Sequence, residues 1–179
     1  MRKVALTFGL LAGVIVSVFS FIIMGLCENG TITFDNSDVI GYGSMVIALA
    51  MIFFGIKSYR DNYLNGAIKF GKGLLVGMLI TLVASLIYAA AGETFYQMDP
   101  EGQAAFMDKY ADHRINKMRE QGASPAEIDQ KLKEMADLKE MHKNPLPRFV
   151  MTLAIILPVG IAVALISAAV LRRKKFLPA

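Results

Sequence analysis

Charged residues are nearly confined to the gaps between four apolar stretches. Val4–Leu26, Val39–Ile56, Gly73–Ala91 and Phe149–Leu171 contain no Asp, Glu, Lys, Arg or His, and they run for 23, 18, 19 and 23 residues. As helices they would extend about 27–35 Å, against a hydrocarbon core of about 30 Å. Soluble helices bury one stripe and expose the rest. Four uninterrupted apolar stretches therefore predict four transmembrane helices.

The pattern changes between the third and fourth stretches. In Gly92–Arg148 apolar residues recur every three or four positions among charged ones. Asp99-Pro100-Glu101 is a helix start, with an N-cap, an N1 proline and an early acid. It predicts a helix from Pro100 to about Gln121, stopped at Gly122. Ser124-Pro125-Ala126-Glu127 is a capping box that opens a second helix reaching about Lys143. Met107, Ala111, Ile115 and Met118 line one side of the first, with Phe106 and Tyr110 nearby. Ile128, Leu132, Met135, Leu138 and Met141 line one side of the second. The two stripes are expected to pack together as a helical hairpin; a partner's docking groove or a helix on the outer leaflet would use the same stripes.

The predicted fold is all-α: a four-helix transmembrane bundle with an extracytoplasmic helical hairpin between the third and fourth spans. Residues 1–91 hold three spans and short loops, 92–148 the hairpin, and 149–179 the fourth span and a basic tail. Composition agrees, at 55% hydrophobic and a mean hydropathy of +0.47. The first stretch exceeds the h-region of a signal peptide, and no small-x-small site follows it. Leu26 before Cys27 does not fit a lipobox, and one cysteine excludes an intramolecular disulfide.

Charge then orients the bundle. The N-terminus has Arg2 and Lys3, the second connection Lys57, Arg60, Lys69 and Lys72, and the tail Arg172 to Lys175. These segments hold ten basic residues and one acid, Asp61. The first connection has Glu28, Asp35 and Asp38 and no base. Basic short segments stay cytoplasmic, so both termini are expected inside. Gly92–Arg148, with nine basic and eleven acidic residues, falls outside; long loops cross largely regardless of charge.

Two groups of residues are singled out. Lys57, Tyr59, Arg60 and Asp61 mark the cytoplasmic interface. Tyr59 and Tyr63 suit the headgroup layer, Lys57 and Arg60 suit lipid phosphates, and Asn65-Gly66 reads as a turn. The alternative is a cytoplasmic binding site on Tyr59, Arg60 and Asp61. The second group is small residues at four-residue spacing: Gly9, Gly13 and Ser17; Gly73, Gly77, Thr81, Ser85 and Ala89; Gly160, Ala164 and Ala168. Such ladders let helix backbones approach in lipid. "GLLAG" at Gly9–Gly13 and "GLLVG" at Gly73–Gly77 would fit a duplicated two-span hairpin, and Pro158 should kink the fourth span.

Chemistry is sparse. No phosphate loop, nucleotide fingerprint or zinc-protease motif is present. His113 and His142 sit near several methionines, whose thioethers suit Cu(I). Those methionines fall on the apolar stripes, where gap-filling is their ordinary use. No metal or cofactor, no nucleic-acid partner and no enzymatic activity are expected. Ion-coupled pumps and multidrug exporters usually carry ionisable groups within their spans, and these spans have none.

"GYGSMVIALAMIFFGIKSYRDN" (Gly41–Asn62) followed by "GAIKFGKGLLVGMLITLVASLIYA" (Gly66–Ala89) resembles the bacterial membrane family termed domain of unknown function 4199. The "FFGIKSYRD" stretch, the "FGKG" entry to the third span and the long third loop carry the resemblance over nearly the whole chain. It implies a bacterial inner-membrane protein and no activity or site residues. The expected function is that of a non-enzymatic envelope protein in the lipid bilayer, acting through a homo-oligomer or a membrane-protein partner. The alternative is a small-solute channel or transporter.

Overall fold

The computed structural model describes residues 1–173; Lys174 and Lys175 of the basic tail lie outside them. Six helices run in order: α1 (Arg2–Glu28), α2 (Phe34–Tyr63), α3 (Phe70–Met98), α4 (Pro100–Glu120), α5 (Pro125–Lys143) and α6 (Pro145–Leu171). Four of them, α1, α2, α3 and α6, are long and apolar enough to cross a membrane.

These helices outrun their apolar stretches. α2 begins at Phe34, where the Thr33 hydroxyl accepts from the Asn36 N–H, and continues to Tyr63. The predicted first connection shrinks to Asn29–Thr33, and the second to Leu64–Lys69. Gly92–Met98, expected at the start of the outer segment, is the last part of α3. The reason is that a helix needs backbone hydrogen bonds, not apolar side chains. Glu93 and Gln97 continue it, with Gln97 Nε2 donating to Glu93 at 3.2 Å. It stops where Pro100 forces Asp99 into extended backbone (φ −145°, ψ 73°). Asp99 then caps α4 by accepting from the Gly102 N–H at 2.9 Å. α6 runs through Pro158 without interruption, although the proline cannot donate to the carbonyl of Ala154.

α2 and α3 pack on each other at the centre; α1 and α6 each lie against both. The small-residue ladders set the closest approaches. A Cβ added at Gly9 would lie 2.6 Å from Val83 Cβ, and one at Gly13 2.7 Å from Ile87 Cβ. Gly73 faces Ala168, Gly77 faces Ala164, and Gly160 faces Thr81. The α3 and α6 ladders thus mesh in antiparallel register. The core is filled by Leu49, Ile52, Ile56, Val76, Ile80 and Ile156, all essentially inaccessible. Leu6, Leu10, Val14 and Val18 of α1 and Val46, Ile47 and Phe54 of α2 face outward, as lipid-facing residues do.

The spans alternate in direction, so α1 and α6 meet the basic connection at opposite chain ends of one bundle end. The Arg173 N–H donates to the Ile68 carbonyl at 3.1 Å, an isolated antiparallel bridge. It joins the end of α6 to the α2–α3 connection, whose Asn65-Gly66 turn has positive φ at both residues. α4 and α5 sit at the other end and pack on each other across a turn at Gly122 (φ +78°).

Candidate functional site

The polar chemistry gathers where α4 and α5 meet the bundle. Arg148 stands in the first turn of α6, just before the apolar stretch. Glu93 stands just past the apolar part of α3. The helix packing of α3 on α6 brings them together, 55 residues apart. Arg148 donates from Nε to Glu93 Oε2 at 2.8 Å and from Nη2 to Oε1 at 2.5 Å. Its Nη1 donates to the carbonyl of His142, at the end of α5, at 2.5 Å. The guanidinium lies 3.5 Å from the centroid of the Tyr96 ring. Arg148 is buried and Glu93 largely so, and planar bidentate pairing with a stacked ring suits arginine and not lysine. One side chain therefore ties α3, α5 and α6 together.

A second anchor joins α4 to the start of α2. Asp35 accepts from Lys117 Nζ at 2.5 Å and lies 3.1 Å from His113 Nε2. Asp38 pairs with Arg114, which also donates to the Tyr110 hydroxyl at 2.9 Å. Phe34 packs among the rings of Phe106, Tyr110 and His113 at centroid distances of 5.4–5.8 Å. Asp108 of α4 pairs with Lys139 of α5. The capping box of α5 is complete, and the Ser124 N–H and hydroxyl hold the Glu127 carboxyl below its ordinary value.

The predicted apolar stripes are only partly covered. Ile115 and Met135 are buried, Met107, Met118, Ile128 and Leu138 are half-buried, and Leu132 and Met141 are exposed.

At the basic end the singled-out residues do not converge. Lys57 is exposed. Tyr59 is buried against the bundle, because it follows Ile52 and Ile56 on the inward face of α2. Its ring stacks on exposed Tyr63 at 5.4 Å. Arg60 pairs with its neighbour Asp61 at 2.7 Å. Gly9, Gly13, Gly73 and Gly77 all lie buried at the helix contacts already described.

Four apolar helices meshed through small residues, with a polar helix pair anchored at one end, define a multi-pass helical membrane protein. Within that class, the chain belongs to the family described as "Protein of unknown function (DUF4199)", whose model matches residues 7–173. The match takes in α2 to α6 whole and most of α1. No curated protein and no solved structure matches the chain.

Proposed function

We propose that this is a non-enzymatic protein of the bacterial inner membrane that works by association, with the α4–α5 pair as its docking element outside the cytoplasm. The observation that carries this reading is the double anchoring of the pair. Arg148 fixes the end of α5 to α3 and α6, while Asp35 and Asp38 fix α4 to α2. A mere connecting loop has no need of two ion-paired anchors; an element that must present a fixed face does. The basic segments collected at the opposite end support cytoplasmic termini.

Packing favours this reading over a solute path. Thr81 and Ser85 donate to carbonyls of their own helix, at 2.9 and 2.8 Å, and face packed neighbours. The test is photo-crosslinking from exposed α4 and α5 positions in native membranes, followed by gentle solubilisation. A discrete adduct with one partner protein or a second copy is expected. Monomer alone, together with solute flux in liposomes, would overturn the proposal. Orientation is read separately. An impermeant thiol reagent should label a cysteine placed at Gly122 in intact spheroplasts, and one at Asn65 only after lysis.

A further inference from the structure

The α4–α5 pair is joined to the bundle by single residues. Asp99 alone separates α3 from α4, and Asn144 alone separates α5 from α6. Each is followed by a proline, Pro100 or Pro145, which keeps the joint residue out of helical backbone and stops the flanking helices from fusing. The joints lie one to two turns beyond the Glu93–Arg148 pair on neighbouring helices, so they sit together at one edge of the bundle end. Rotation at these two residues re-aims α4 and α5 as one body, because the two helices pack on each other and are tied by Lys139 and Asp108.

Two sets of contacts hold this body, and they differ in kind. At the joints, the Arg148 and Glu93 side chains are only 9% and 19% exposed, and Arg148 also holds the His142 carbonyl. On the far side, about 21–27 Å along α4 from Asp99, His113, Arg114 and Lys117 meet Asp35 and Asp38 of α2 through side chains that are 30–44% exposed. His113 and Lys117 share one carboxylate oxygen of Asp35. Phe34 adds its ring there but is itself only half-buried. Nearer the joint, the hydrogen bond from Gln103 Nε2 to the Met24 sulfur of α1, at 3.5 Å, is a weak one. Among the described residues the backbones of α2 and α4 make no extended contact, and α4 buries a single residue, Ile115. Elements with few buried apolar contacts and exposed polar ones open first. Exposed pairs are also screened by salt much more than buried ones. We infer that α4 and α5 form a hinged strap: Asp99 and Asn144 are its joints, Arg148 holds the hinge edge, and Asp35 and Asp38 are a latch that releases while the hinge stays closed. Release uncovers Phe34, Phe106 and Tyr110 and unroofs the cavity of about 530 Å³ that α4 and α5 enclose against Met24 of α1 and Tyr96 of α3. This goes beyond the association reading and holds whether or not the pair meets a partner.

The test is a distance measurement between paired spin labels on the full chain in nanodiscs, on a Cys27→Ala background. One pair, Asn36→Cys with Glu120→Cys, spans the latch at two exposed positions. The other, Glu120→Cys with Asp137→Cys, lies within the strap. At low salt the latch pair should give one dominant short distance and a minor longer one. Asp35→Asn/Asp38→Asn should raise the longer fraction at least about fivefold, the size expected for losing a few exposed ion pairs. Glu134→Gln, which breaks an exposed pair within α5, should leave it unchanged, and the distance within the strap should stay constant throughout. If the double variant does not fold, the unaltered latch is titrated with salt to about 1 M, where screening reaches to about 3 Å, and the same rise is read. A longer fraction that does not rise, or rises equally in Glu134→Gln, would overturn the inference. So would a broadened distance within the strap, which means melting and not swinging.

Discussion

Alanine at Gly77 separates two accounts of the α3 ladder. An alanine is a better helix former than glycine by about 1 kcal/mol. If Gly77 merely happened to be small, Gly77→Ala would stabilise the protein. The structure predicts the opposite. The new Cβ would lie 2.7 Å from Ala164 Cβ, 3.1 Å from Ile56 Cδ1 and 3.3 Å from Ala164 Cα. Carbon atoms pack best at about 3.5–4.0 Å, so α3 and α6 must separate by about 1 Å or tilt. Gly73–Ala168 and Thr81–Gly160 flank this point on the same interface and loosen with it. Overpacking of this kind costs about 1–3 kcal/mol, which leaves a net loss of about 1 kcal/mol after the propensity gain, and more for Gly77→Leu. Gly71 and Gly92 lie in the same helix with open space around them. Alanine at either should be neutral or stabilising by about 0.5–1 kcal/mol. The assay is reversible unfolding in mixed micelles, comparing all three single variants. Stabilisation at Gly77 equal to that at Gly71 would refute the meshed-ladder account.

Glu93→Gln should destabilise by about 3 kcal/mol, because it leaves the buried Arg148 charge without its partner, and Arg148→Met by less, since the Glu93 carboxylate is partly exposed and keeps Gln97; thermal unfolding and proteolysis near Asn144 measure this. Met135→Ala should loosen the α4–α5 pair by about 2–3 kcal/mol, whereas Leu132→Ala, at an exposed site, should do little; cutting rates near Gly122 distinguish them. The Glu127 carboxyl titrates below its ordinary value of 4.5 because Ser124 donates to its charged form. Its contribution is therefore full above that value and is lost as pH falls through the lower, folded value. Amide exchange in the first turn of α5 should rise at acid pH in the wild type. In Glu127→Gln it should be raised already at neutral pH and show no such step.

The spans were legible because the bilayer demands long stretches free of charge, and both α4 and α5 announced themselves through Asp99, Ser124 and their prolines. Their ends were harder to read. Apolar character reports where lipid begins, while helices continue past it on backbone hydrogen bonds, as α3 does through Glu93 to Met98. The facing of Tyr59 was missed for a related reason: ring chemistry speaks to depth, while the phase set by Ile52 and Ile56 turns the side chain inward. The Arg148–Glu93 pair escaped because no local pattern links residues 55 apart. The available signal was a lone base and a lone acid at the mouths of neighbouring apolar stretches. The anchor between Asp35 and α4 was hidden in the same way, since three acids near the first connection read as sidedness alone.

The meshing of α3 with α6 also bears on how the protein is made. The groove along Gly73, Gly77 and Thr81 is filled by α6, which leaves the ribosome well after α3. About 80 residues separate Thr81 from Gly160, and synthesis at about 5–20 residues per second leaves roughly 4–16 s between them. During that interval α1, α2 and α3 can already assemble, but the glycine-lined cleft on α3 stands open within the lipid. Any other helix with small residues could occupy it. Newly made protein thus passes through a period of vulnerability to mispairing, which ends when α6 inserts and Arg173 reaches Ile68. A chain cut short before α6 would keep that cleft open permanently, a clear mark by which quality-control proteases could recognise it.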